Sequence, residues 1–162
     1  MPWYSWPDGI TTTELVTAAW LDGVSNSFAY LEEVAYAEGS TTTIAVTGTA
    51  FVDIVTTTSI TYENVPHLIF FNHFARVVVG ASGACNLHLR DVTTDLGYVW
   101  RGLANEIQGN IMACVRFTPS AGTHTFKFSA QNAASQTTNF FSGPGGAGNP
   151  FPTSMRIMRE PV

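Results

Sequence analysis

Thr123-His-Thr-Phe-Lys-Phe-Ser-Ala-Gln131 is the stretch that decides the fold. His124, Phe126, Phe128 and Ala130 alternate with Thr125, Lys127, Ser129 and Gln131, which puts the apolar set on one face of an extended strand and the polar set on the other. A helix would scatter both sets around its axis. The same period of two recurs on either side. Ile111, Ala113, Val115 and Phe117 form a second apolar face, and Leu87 and Leu89 contribute to a third. Runs of this kind predict strands at 42–46, 50–57, 59–62, 68–71, 76–80, 85–90, 97–103, 110–117, 123–131 and 154–159. Turn residues punctuate them at Asn64–Pro66, Gly80–Gly83, Pro119–Gly122 and Ser142–Pro152. Many short strands broken in this way predict an antiparallel β-sandwich of the jelly-roll kind over residues 40–162.

Upstream the pattern changes. Leu21, Val24, Phe28, Leu31 and Ala35 recur at steps of three and four, which predicts one N-terminal α-helix from about Thr13 to Glu38 with a narrow apolar stripe. Thr11 and Glu14 have capping-box spacing, and Gly39 is placed to end the helix. Gly23 costs about 1 kcal/mol relative to Ala, so the helix needs packing to hold it. Either the sandwich or the same helix of other copies would supply that packing. Leu21, Val24, Phe28 and Leu31 are the residues expected at an oligomer interface. Before the helix, Pro2 and Pro7 favour an extended arm carrying Trp3, Tyr4 and Trp6. So much apolar surface on an arm either folds back or docks on a partner. Residues 1–39 thus read as an arm and helix for anchoring and oligomerisation.

Charge narrows the function classes. Only 12% of the 162 residues are charged, about half the usual fraction, which suits a surface covered by neighbours or clothed in Thr, Ser, Asn and Gln. Six of the 12 acidic residues, Asp8, Glu14, Asp22, Glu32, Glu33 and Glu38, fall in residues 1–38, which hold no Lys or Arg. An acidic arm on a nearly neutral body argues against nucleic acid and anionic membranes as partners. Met1-Pro2-Trp3-Tyr4 has neither the basic nor the apolar region of a signal peptide, and no apolar run is long enough to span a bilayer. Synthesis in a cytoplasm is expected.

No catalytic motif emerges. His67, His73, His88 and His124 lack helical metal-ligand spacing. Gly80-Ala-Ser-Gly83 lacks the spacing of a nucleophile elbow, and the Gly143–Gly148 run has no lysine for a phosphate loop. Asp91 and Asp95 flank Thr93 and Thr94 in a predicted turn, which an Asx-turn explains more simply than calcium. Cys85 and Cys114 fit no metal spacing, and their pairing is left open. The chain is therefore expected to be no enzyme and to need no cofactor.

The segments Trp6-Pro-Asp-Gly9, Leu15-Val-Thr-Ala-Ala-Trp-Leu21 and Phe28-Ala-Tyr-Leu31 resemble the opening of small bacteriophage virion surface proteins. Those begin with a Trp-x-Asp-Gly turn and a Leu-Thr-Ala-Ala-x-Leu-Asn helix, then continue into a β-sandwich. Ser59-Ile-Thr-Tyr-Glu-Asn-Val-Pro66, Ala121-Gly-Thr-His-Thr-Phe-Lys-Phe128 and Met155-Arg-Ile-Met-Arg-Glu160 extend the resemblance along the chain. It departs at Asp22, where that family usually has Asn, and in the Gly/Pro loop. The resemblance implies a virion surface location, a homotrimer, and anchoring through the N-terminal segment. A capsid decoration protein or short head fibre is the leading expectation. Trp3, Tyr4 and Trp6 would attach it to the major capsid protein or to tail proteins. The alternative is a tail-associated adhesion module for a host-surface glycan, with Tyr98, Trp100 or Phe151 as sugar platforms.

Overall fold

The computed structural model describes residues 31–160, and every element in them is a strand. In chain order these are β1 (Glu32–Glu38), β2 (Ile44–Thr47), β3 (Val52–Thr56), β4 (Ile60–Tyr62), β5 (His67–His73), β6 (Val77–Val78) and β7 (Ala84–Asp91). Then come β8 (Thr94–Leu103), β9 (Ile107–Gln108), β10 (Ile111–Phe117), β11 (Gly122–His124), β12 (Phe126–Asn132), β13 (Thr137–Phe140) and β14 (Ser154–Arg159).

Two four-stranded sheets carry the architecture, with strand orders β1-β14-β5-β10 and β3-β12-β7-β8. Short strands form a further sheet, β2-β13-β6-β9, and a two-stranded ladder, β11-β4. All pairings are antiparallel. Of the connections between the long strands, only the β7–β8 hairpin stays within one main sheet, and the others cross from one to the other. That crossing order makes an antiparallel, jelly-roll-like sandwich.

Alternation builds the core between the sheets. Ile69 and Phe71 of β5, with Met155 and Ile157 of β14, face Leu87 and Leu89 of β7 and Phe128 and Ala130 of β12, all buried. The Phe71 and Phe128 rings meet across the layers at 5.0 Å. Polar groups taken inside are bonded. Asn132 donates to the carbonyls of Val46 and Gln136 at 2.9 and 2.8 Å and accepts from the Thr138 hydroxyl at 2.8 Å.

The predicted helix fails where it can be examined. Glu32–Glu38 is strand β1, paired to β14 with a bulge between Glu33 and Ala35. Ala35, read as part of a helical stripe, is instead a core residue of a sheet. Glu and Ala are good helix formers, but a ladder of hydrogen bonds and a buried face outweigh that propensity. Gly39 consequently caps no helix. Its N–H donates to the Thr153 carbonyl at 2.7 Å, and a Cβ there would lie 2.4 Å from the Ile54 carbonyl oxygen. The rest of the predicted helix, Leu21, Val24 and Phe28 included, lies outside the described residues, as do Trp3, Tyr4 and Trp6.

The deciding stretch is two strands rather than one. At Thr125 the chain leaves its pairing with β4 and joins β3 and β7. Asp91 accepts the Thr125 N–H at 3.2 Å and Thr57 accepts the Phe126 N–H at 3.1 Å, which satisfies the backbone at the break.

Candidate functional site

The two main sheets present unlike outer faces, and that contrast is the principal functional feature of the described residues. On the β1-β14-β5-β10 sheet the registers align Tyr36, Arg156, Phe70 and Cys114 in one row. Glu33, Met158, Leu68 and Arg116 make another, and Glu38, Ser154, Asn72 and Met112 a third. Strand β5 is the reason. Leu68-Ile-Phe-Phe71 is apolar at every position, so it covers the core with one face and offers Leu68 and Phe70 outward with the other.

Six of these twelve positions carry Tyr36, Phe70, Cys114, Met158, Leu68 and Met112, so apolar side chains are interleaved with Arg, Glu, Ser and Asn. Met112 is 75% exposed, Tyr36 48% and Leu31 42%, while Phe151 and Phe74 meet edge-to-face at 6.2 Å beside it. Two shallow hollows indent this face, of about 330 Å³ at Tyr36, Phe74 and Phe151 and about 280 Å³ at Leu31, Phe70 and Met158. In the Gly/Pro loop the Gly145 N–H donates to the Pro150 carbonyl at 2.8 Å, and a Cβ at Gly145 would lie 3.0 Å from Phe151 Cδ1.

Charges on this face neutralise one another. Arg156 pairs with Glu33 at 2.7 Å, Arg116 forms a forked pair with Glu160 at 2.8 Å, and Arg159 bridges Glu32 and Glu63. Arg116 holds the Glu160 carboxyl below the usual carboxylate range. Four strands about 4.8 Å apart and about 20 Å long cover roughly 400 Å².

The outer face of the β3-β12-β7-β8 sheet is polar. Asp53 accepts from Lys127 Nζ and from Ser129 Oγ, each at 2.6 Å. Burial alone would raise the Asp53 carboxyl, but these two donors outweigh it and hold the group below its ordinary value. Arg90 lies over the Phe51 ring at 4.2 Å and donates to the Thr93 carbonyl at 2.9 Å. His88 is buried between Phe51 and Tyr98, at 5.0 and 6.0 Å from their rings, and its Nδ1 lies 3.0 Å from both Asp95 oxygens. Burial raises the Asp95 carboxyl, yet the Gly97 N–H and His88 together bring it below its ordinary value.

At the open edge between the sheets, β8 and β10 leave a cleft of about 390 Å³ whose floor includes Leu89, Leu96, Val99, Val115 and Phe117. Trp100, one of three aromatics considered as a sugar platform, turns inward against Phe140 at 6.2 Å. Tyr98 faces out on the polar sheet and Phe151 stands at the rim of the apolar one, so the three do not converge.

Of the residues expected at an oligomer interface, Leu31 falls among the described ones, on the apolar face. Its strongest companions, Tyr36, Phe70, Met112 and Met158, went unnamed in the sequence. The signal was present: a strand apolar on both faces next to one alternating Ile111, Ala113 and Val115 with Met112 and Cys114.

Cys85 is buried in β7 and Cys114 exposed on β10, and both are free thiols. Burial pushes the Cys85 thiol up to about 11. Asp91 and Asp95 do not converge on an ion: Asp91 binds His124 Nδ1 at 2.5 Å and Asp95 turns to His88. Among the described residues no cluster of His, Cys, Asp and Glu is placed to hold a metal.

No family model and no curated protein matches this chain. Among solved structures, a TNF protein, Eiger from S. frugiperda, is similar with a TM-score of 0.46 and 8% identity over 81% of this chain and 93% of that one.

Proposed function

We propose that this is a structural protein that works by self-assembly, and that its place is the surface of a bacteriophage particle. The observation that carries assembly is the apolar outer face around Tyr36, Phe70, Met112 and Met158. Covering side chains such as Met112 and Tyr36, which stand in water, is favourable by about 25 cal/mol per Å² of apolar area. Its ion pairs are already closed within the chain, so a second copy meets the face without charge repulsion. The particle location rests on the resemblance of residues 6–31 and of the later strands to small virion surface proteins. A decoration protein or short head fibre, trimeric and anchored through Trp3, Tyr4 and Trp6, is the form that resemblance favours. Such a protein acts through buried interface rather than chemistry, binding the assembled shell and thereby stabilising it.

The test has two parts. The mass of the purified chain in solution should be a defined oligomer, reduced to a monomer by Tyr36→Glu with Met112→Glu. Immunogold labelling of phage particles should decorate their surface, and unlabelled particles would remove the virion role while leaving assembly intact. A second reading, an adhesion module on the tail, is favoured by one observation: Tyr98, 63% exposed, stands on a polar sheet face.

A further inference from the structure

The edges of the two main sheets are not built alike. Strands β1, β3, β8 and β10 each have a partner on one side only. Three of them are interrupted. Where the registers shift, the extra residue lies on the edge strand each time: Val34 on β1, Ile54 on β3, and Leu96 and Val99 on β8. A bulge bends an edge and spoils it as a template for another strand. Charge defends the same three, with Glu32, Glu33 and Glu38 on β1, Asp53 on β3, and Asp95 and Arg101 on β8. Strand β10 has no such defence. It runs Ile111-Met-Ala-Cys-Val-Arg-Phe117 in unbroken register with β5, and its one charge, Arg116, is closed onto Glu160 at 2.8 Å.

The free side of β10 is also unfinished. Alternate N–H and C=O groups along it have no backbone partner among the described residues. Its core-facing Ala113, Val115 and Phe117 are only half-buried, in contrast to Ile69 and Phe71 of the adjoining β5. The cleft of about 390 Å³ against β8 opens on this side. A further strand beside β10 would satisfy the backbone and cover these side chains together.

We propose that the further strand is β10 of a second copy, antiparallel about a two-fold axis at Cys114, so that the two sheets join edge to edge into one. Register selects the axis. Side chains alternate between faces, so an axis between residues would set core-facing positions against outward ones, whereas an axis at a residue keeps the faces matched. Centred on Cys114, every position of the strand is paired. Ala113 then lies opposite Val115 of the second copy, Ile111 opposite its Phe117 and Met112 opposite its Arg116. An axis at Arg116 would instead set like charges against each other. The two Cys114 Cα atoms come to about 4.5–5.5 Å, inside the ~4.4–6.8 Å that a disulfide spans. The pairing deepens the self-assembly reading and rests on it: a lone pair of strands is marginal in water, and the covered outer face holds the copies together while the edges join. A two-fold contact gives an even number of chains, and trimers formed through the face would be joined by it in pairs.

The test uses the full chain, purified in reductant, with its mass read by light scattering and its linking driven by diamide. Diamide accepts the two electrons and two protons that two thiols lose in forming one disulfide. Cys85 is buried, so Cys114 is the thiol that responds. Disulfide-linked pairs are expected, at a rate that dilution does not change, and Cys114→Ser should abolish them without altering the mass. Moving the thiol tests the register. With Cys114→Ser in place, Met112→Cys should not link, because the two copies of position 112 lie about 14 Å apart along the strands. Cys114→Lys sets like charges opposite each other and should halve the mass, with thermal unfolding unchanged to show that the fold is intact. A defined oligomer whose thiols stay unlinked, and whose mass Cys114→Lys leaves alone, would overturn the edge pairing and keep assembly through the face. Linking through Met112→Cys as readily as through Cys114 would overturn it too. A monomer at every concentration would overturn both readings.

Discussion

Single residues in the sandwich have costs that follow from what surrounds them. At Gly39 a methyl group would fall 2.4 Å from the Ile54 carbonyl oxygen, backbone that cannot swing aside. Gly39→Ala is expected to lose about 2 kcal/mol or more in a urea titration. Phe128, wholly buried against Phe71, should lose about 3–5 kcal/mol on truncation to Ala. Tyr62 behaves oppositely. Its hydroxyl is buried without a partner, and burial, with Asp91 nearby, pushes its ionisation up to about 12. Tyr62→Phe removes an unsatisfied group and is expected to leave stability unchanged or raise it by up to about 1 kcal/mol. His124 gives a pH signature. Its hydrogen bond to Asp91 raises it above the ordinary value, against a smaller opposing effect of burial. The stabilisation is therefore full below about pH 6.5 and fades as pH rises through the higher folded value. His124→Gln should cost about 1 kcal/mol at pH 6 and clearly less at pH 8.5, and an equal loss at both would contradict the pairing.

At the scale of elements, the alternating strands were legible and the exceptions have physical causes. Ser154–Arg159 and the inward faces of Phe126, Phe128 and Ala130 could be read from period two alone. Strand β1 could not, because Glu33-Val-Ala-Tyr-Ala37 carries good helix formers and its bulge breaks the alternation. What makes it a strand is β14, more than a hundred residues away, a partner that no local window contains. The split at Thr125 was hidden for a similar reason: the chain stays extended while its partners change. Short β6, β9 and β13 depend on one another for pairing rather than on their own composition. The candidate sites were legible only in part. Apolar residues at every position of 68–71 announced a sheet covered on both sides, yet which neighbours complete the outer face depended on register. Tyr98 stood out as an aromatic, but its opposition to His88 emerges only once β7 and β8 are aligned. A change confined to the apolar face, Tyr36→Glu with Met112→Glu, should leave denaturant stability within about 0.5 kcal/mol if the sandwich does not depend on its neighbours.

For the whole molecule we propose that a sandwich with one sheet face rich in apolar side chains and the other polar is covered on the first and exposed on the second. Low overall charge, internally closed ion pairs and a face holding Met112 and Tyr36 in the open agree on this. The trimer and the virion surface come from resemblance, and assembly through the sheet is the physical part that stands beneath them. Light scattering of the full chain and of the Tyr36→Glu, Met112→Glu variant at micromolar concentration tests it most directly. A defined oligomer that the double substitution converts to a folded monomer is the result predicted. A wild-type monomer, or an oligomer indifferent to both charges, would contradict it.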